Sequence, residues 1–485
     1  MKILKGNSGN SVLLAVVKAF TTVSGILSTM IMSHALSLEL YGTFSQTNLI
    51  VTTATNITAL GLVDAVNYFY NRSNDEKVQK AYINTIMGFQ TITGIVAGIL
   101  IIVLSNNLVE YFNNPMLSSF FWLIAFRPLF ANLNVSLQYL QVSIGKAKSV
   151  AIRNAGFATL RLVVYAIAAW ILKDITVVLI AFLVFEVIIT VFFGWTFVKE
   201  KFMIKPYEID WGKTKEILGY SIPMGIYVLT NSLCRDIDKM LIGGWYNTDQ
   251  YAIYANCATL LPFDIISASF LTILIPILTR YFGEYMHGRI LFKNYLKIGY
   301  YTAFTFTIAC MILSKEMVLF LYGEKYLSGQ TIFILYTIVD MIKFANMSIV
   351  LSASGKTKTL MICSLVSLVA NAGCNVLFYH VFGFIGPAIA TVFVTVVLTA
   401  VLAEMSAKSL ETSVWKLIDW KEFLTFAIEL SIVGVICFMA KRALEAVAVS
   451  PIIILCVLGG AYIAGILCLN KKKIFSAMKE INALH

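Results

Sequence analysis

An all-α integral membrane protein is the fold class this sequence predicts, and three observations predict it. Of 485 residues, 59% are hydrophobic and 13% charged, with a mean hydropathy of +0.81, whereas soluble chains run nearer half apolar and a quarter charged. The apolar residues come in runs long enough to cross a bilayer as helices, without the strict alternation of barrel strands. Lysine and arginine gather between alternate pairs of runs. Together these exclude a soluble enzyme, a coiled coil, a disordered chain and a porin-like barrel.

Fourteen transmembrane spans are expected, at 12–36, 41–66, 82–105, 117–144, 150–172, 175–198, 216–243, 249–279, 294–314, 328–352, 358–380, 384–407, 421–440 and 449–470. With the N-terminus inside, twenty-six basic residues fall in inner segments. Only five (Lys173, Lys315, Lys325, Lys441, Arg442) fall in outer loops, and six lie within spans. That asymmetry puts both termini in the cytoplasm and explains the net charge of +11 as an orientation signal rather than a nucleic-acid surface. The eight cysteines sit in apolar runs without a C-x-x-C pair, so they read as core fillers, not a disulfide framework or zinc site. No cleavable signal peptide is expected, because the first run is too long and no small-residue site follows it.

The longest polar stretch, 199–215, is expected to be a cytoplasmic linker between an N-lobe (1–198, spans 1–6) and a C-lobe (216–408, spans 7–12). Residues 409–485 hold spans 13 and 14, a lipid-facing accessory pair, and a basic tail. The lobes share a faint repeat. Glu39-Leu40-Tyr41-Gly42-Thr43-Phe44-Ser45-Gln46 is echoed 210 residues later by Asp249-Gln250-Tyr251-Ala252-Ile253-Tyr254-Ala255-Asn256. Six spans separate the copies, so they have the same orientation, a parallel repeat about an axis along the membrane normal.

The motif L-x-x-E-L-Y-G-x-F at 36–44 resembles the polysaccharide flippases of the multidrug/oligosaccharidyl-lipid/polysaccharide exporter superfamily. So do Gly61-Leu62, Asp238-Lys239-Met240-Leu241-Ile242-Gly243, Ile275-Pro276 with Arg280, and Gly386-Pro387-Ala388-Ile389-Ala390-Thr391. Gly386-Pro387-Ala388 departs from the family's usual Gly-x-Gly-Ala. The resemblance implies transport of undecaprenyl-diphosphate-linked O-antigen, capsule or exopolysaccharide units across the bacterial cytoplasmic (inner) membrane. The mechanism implied is alternating access between two lobes, with spans 1, 2, 7 and 8 lining the cavity. It also implies membrane lipids, a polysaccharide polymerase and chain-length machinery as partners. A lipid II flippase and a cation-coupled multidrug or metabolite antiporter are the alternative functions.

A lipid-linked diphosphate needs fixed cations in a wet cavity. The intramembrane bases are Lys18, Arg127, Arg161, Arg235, Lys239 and Lys343, each costing about 2.5–3.5 kcal/mol at a helix centre unless it meets water, cargo or a partner. Lys18 shares a face with Thr21, Thr22, Gly25, Ser28 and Thr29, and either lines the cavity or snorkels. Arg127 precedes Pro128, so it serves cargo or a freed carbonyl. Arg161 is expected to pair structurally with Glu186. In span 7, Arg235, Asp238 and Lys239 share a face, as a brace or an outer gate. Lys343 binds cargo or pairs with Asp340.

The polar face of span 2, including Asn48, Thr52 and Asn56, is expected to meet sugar hydroxyls, with Asn231 and Asn256 facing it. Asp238, Asp264, Asp340, Glu186 and Arg161 are the gating or ion-coupling candidates. Pro128, Pro223, Pro262, Pro276 and Pro387 are expected to kink their spans. The four histidines are scattered, and no Walker loop is present. A transporter is therefore expected rather than an enzyme, without metal or cofactor, driven by Na+, H+ or membrane potential.

Overall fold

The structure, a computed structural model, describes residues 3–72, 75–199, 203–261, 278, 285–344 and 346–483. All regular structure among the described residues is helical. Nine of these helices are long and apolar enough to cross a bilayer. Met286–Ile312 and Ser314–Leu321, bent by 86°, add a tenth if read as one broken span. The Lys358–Ser409 stretch counts once in that tally but holds two expected spans, the helices Thr357–Phe382 and Gly386–Ser409. Most of expected span 8 lies outside the described residues, and with it Pro262, Asp264, Pro276 and Arg280. The chain is a multi-pass membrane protein.

Packing divides the chain into two compact units, Met1–Ala252 and Ile253–His485. The span-7 helix, Trp211–Trp245, packs on Leu38–Ala59 and Leu62–Arg72 and falls in the first unit, although it follows the expected linker. Its contact with span 2 is backbone on backbone. Span 2 breaks at Leu60 and Gly61, whose φ values are 45° and 70°. A Cβ on Gly61 would meet the Ser221 carbonyl and the Gly225 backbone, so only glycine fits this left-handed turn. Asn56 Nδ2 donates to Ser232 Oγ at 2.6 Å across the same contact.

Proline acts at helix starts as well as inside helices. Pro128 and Pro387 open the helices Arg127–Ser143 and Gly386–Ser409, where the missing N–H leaves no bond unmade; Pro223 alone of the described span prolines lies inside a helix. The expected kinks at 128 and 387 are thus helix boundaries.

In the second unit, spans 13 and 14 do more than face lipid. Tyr300, Tyr301, Phe426, Leu430, Tyr462 and Ile466 form one buried cluster across spans 9, 13 and 14. Glu422 accepts from Tyr301 Oη at 2.8 Å and pairs with Lys297 at 2.7 Å. Lys441, counted above as an outer-loop cation, is 7% exposed and pairs at 2.8 Å with Glu316, which is 2% exposed. Span 9 bends just before Glu316, and Lys441 reaches back to Glu316 and to the Ile312 carbonyl at the bend.

The 210-residue repeat extends beyond the motif that revealed it. Helices Glu76–Val103, Ser105–Tyr111 and Ile175–Lys199 recur as Tyr285–Ile312, Ser314–Leu321 and Gly386–Ser409. Tyr41 N donates to the Ser37 carbonyl at 3.0 Å, and Tyr251 N to the Asn247 carbonyl at 2.9 Å. Gly145-Lys146-Ala147-Lys148 and Gly355-Lys356-Thr357-Lys358 make the same left-handed turn, with φ of 83° and 70° at the glycines.

Candidate functional site

Spans 1, 2 and 5 of the first unit enclose a cavity of about 240 Å³. Span 1 is pinned to span 5 by Ser24 Oγ donating to the Ala158 carbonyl at 3.1 Å, and Gly25 beside it leaves open space. Span 1 lines the cavity with Ser28 and Thr29, span 2 with Tyr41, Ser45 and Asn48, and span 5 with Arg161 and Tyr165. Arg161 and Tyr165 are four residues apart, so one helical face presents both. Arg161 Nε is buried without a hydrogen-bond partner, and no ion pair among the described residues contains Arg161. No carboxylate among the described residues lines the cavity. The result is a cation in a polar recess bounded by hydroxyls, an amide and a phenol ring.

The other mid-depth arginine is closed off. Arg127 Nη2 meets Glu186 Oε1 at 3.1 Å, with side chains 9% and 18% exposed. Nη1 lies 3.4 Å from Asn48 Oδ1, and the guanidinium stands 4.7 Å from the Phe182 ring centroid. The backbone carbonyl of Glu186 accepts from Asn134 Nδ2 at 3.1 Å, which anchors span 6 to span 4. Glu186 therefore pairs with Arg127, not with Arg161 as its depth suggested. Arg127 is the first residue of its helix, after the break at Phe126, and its side chain reaches Glu186 on span 6. Phe182, beneath Arg127, also meets Tyr165, edge-on at 5.4 Å, and Phe44, stacked at 6.3 Å, two rings that line the Arg161 cavity. Asn48 belongs to both environments.

The remaining candidates are dispersed. Lys18 is exposed and does not line this cavity; the Thr21 and Thr22 hydroxyls bond its carbonyl. Thr52 is exposed, and Asn56 is spent on Ser232. In span 7, Arg235 is exposed while Asp238 is buried, so they do not share an environment. Lys239 lies 3.8 Å from Asp236. Asn231 donates to its own helix at the Tyr227 carbonyl, and Asn256 is buried. In the second unit, Asp340 Oδ2 accepts from Leu261 N at 2.9 Å, and Lys343 is exposed just beyond the Gln330–Ile342 helix. Asp264 lies outside the described residues. Sequence reasoning missed Tyr165 as a lining residue. Its four-residue spacing from Arg161 was the available signal.

Several solved structures share this fold. The lipid II flippase MurJ in an inward closed conformation aligns with a TM-score of 0.76 at 14% identity, covering 96% of this chain and 100% of that one. An inward-facing multidrug resistance MATE family transporter of the MOP superfamily aligns with a TM-score of 0.66 at 14% identity, covering 83% and 98%. A MOP superfamily transporter from Pyrococcus furiosus, for which a binding pocket of reverse polarity was described, gives 0.57 at 14%, covering 84% and 96%. No curated protein matches the sequence significantly. The family model described as polysaccharide biosynthesis protein matches residues 31–330, more than half of the chain, and the chain belongs to that family.

Proposed function

We propose that this chain moves undecaprenyl-diphosphate-linked oligosaccharide units from the cytoplasmic to the outer leaflet of the bacterial inner membrane by alternating access. Family membership and fold set the frame, and the Arg161 cavity is the observation that carries the reading. A guanidinium with no acidic partner among the described residues presents a planar fork that matches phosphate oxygens. At an effective dielectric near 20 and about 5 Å, one such pair is worth roughly 3 kcal/mol. The hydroxyls of Ser28, Thr29 and Ser45 and the amide of Asn48 suit the first sugar, and the ring of Tyr165 gives it a stacking face. The prenyl tail stays in lipid. An antiporter for organic cations would place carboxylates where this cavity places an arginine. Fourteen spans with both termini cytoplasmic complete the proposal, with Na+, H+ or the membrane potential as the drive and the Lys239–Asp236 pair as part of a gate.

The test is genetic and chemical. Deletion should abolish surface glycan while diphosphate-linked repeat units build up inside the cell, and peptidoglycan synthesis should continue. Unchanged glycan export would overturn the reading. Arrested peptidoglycan synthesis with lipid II accumulation would replace it with the lipid II flippase.

A further inference from the structure

Spans 4, 5 and 6 meet around a second cation that the cavity does not use. Arg153, in the Ala147–Ala166 helix, donates through Nη2 to Gln141 Oε1 at 2.9 Å, and Gln141 Nε2 donates to Thr196 Oγ1 at 2.6 Å. The guanidinium carbon lies 3.5 Å from the Phe193 ring centroid. Its Nε and Nη1 are buried without a hydrogen-bond partner among the described residues. Beside it opens a groove of about 630 Å³ lined by Lys146, Lys148, Ser149, Ile152, Arg153 and Phe192. Neither Arg153 nor Lys148 enters an ion pair among the described residues. The groove thus combines three cationic side chains with two apolar ones, Ile152 at 59% and Phe192 at 41% exposed.

The turn does not need this cation. In its second copy, Gly355-Lys356-Thr357-Lys358, the positions of Gln141 and Arg153 are taken by Leu351 and Cys363. There Cys363 Sγ lies 3.9 Å from Met405 Sδ. The same backbone forms without the arginine, so Arg153 and its Gln141–Thr196 support are an addition to the first copy.

We infer that this groove binds the phosphate headgroup of an anionic phospholipid, with an acyl chain lying against Ile152 and Phe192. A free phosphate ion would gain nothing from the apolar wall. A phospholipid brings charge and hydrocarbon together at the spacing the groove offers, and basic pockets between spans at a membrane face have this chemistry. Arginine, preset by Gln141, supplies the directional contact, and the lysines supply charge.

The test uses the full-length protein in nanodiscs of phosphatidylcholine, titrated with phosphatidylglycerol of the same chain length, with retained lipid counted by native mass spectrometry. Phosphatidylglycerol should be retained preferentially. Lys148→Gln should weaken retention about fivefold, Lys146→Gln/Lys148→Gln further, and Arg153→Gln most, while Arg153→Lys keeps part of it. Rising salt should weaken it in parallel. Equal retention of the two lipids, or wild-type retention by the lysine variants, overturns the inference. So does complete displacement by millimolar inorganic phosphate, which would reassign the groove to a free anion. Lys148 is exposed at the rim, so its variants carry the decision wherever Arg153→Gln does not fold.

Discussion

At positions 48, 127, 161 and 186 the first unit carries Asn, Arg, Arg and Glu; 210 residues later the second half of the repeat carries Ala258, Thr337, Asn371 and Val396. The helices around positions 161 and 186 recur, as Thr357–Phe382 and Gly386–Ser409, and the charges do not. In the first unit, buried charge surrounds a cavity: Arg127 neutralised by Glu186, Arg161 left open to the recess. In the second, ion pairs fasten span 13 to span 9, through Glu316–Lys441 and Lys297–Glu422. One helical plan can therefore serve two electrostatic purposes. Packing sets the plan, and a handful of ionisable residues decides which purpose each copy serves.

Exchanging residues between the copies tests this division most directly. Glu186→Val, which installs the residue of the other copy, leaves Arg127 buried and uncompensated. It should cost about 3–5 kcal/mol, read as a lowered thermal midpoint and loss of monodisperse protein in detergent. Arg127→Thr/Glu186→Val should recover most of that loss. Lys441→Ala should cost about as much, because it strands Glu316 in the second unit. A double exchange no better than Glu186→Val would show that the pair does more than neutralise charge.

Arg161→Asn should leave stability nearly unchanged and cut glycan transport about ten- to a hundredfold, the range for losing charged hydrogen bonds worth about 1.5–3 kcal/mol. Arg161→Lys should fall between, since an ammonium lacks the fork. Full transport by Arg161→Asn would remove the cavity from the mechanism and erase the functional half of the comparison.

Fold class was legible in the sequence, because apolar run length acts locally; proline marked the breaks before Pro128 and Pro387, but the breaks at Leu104 and Leu313 have neither glycine nor proline to announce them. The partner of Glu186 was not. Arg127 and Arg161 both stand near mid-depth of their spans, and depth carries no information about rotation around a helix axis or about which span lies beside which. Lys441 misled for the same reason: the helix Trp420–Ala446 runs past it, and a bend in span 9, more than a hundred residues away in sequence, gives it a buried acid. The repeat could have supplied part of the answer. Asn371 opposite Arg161, and Cys363 opposite Arg153, mark charges that the shared helical plan does not require.

Asn48 gives an intermediate effect because it belongs to both environments. Asn48→Ala, again the residue of the other copy, removes an acceptor from Arg127 and an amide from the cavity wall. It should cost about 1 kcal/mol of stability and lower transport about fivefold.

The smallest effect is expected at Lys18, opposite Val228 in the repeat. Its side chain is exposed, the cavity is lined from span 1 by residues about two to four turns further along, and the threonine hydroxyls bond only its backbone. Lys18→Val should therefore stay within about 0.5 kcal/mol of wild type in stability and within about twofold in transport. A tenfold transport loss with intact folding would show that the cationic path runs beyond the Arg161 recess along span 1. The single-arginine account would then have to become one of successive cations handing the diphosphate from one end of the first helix to the other.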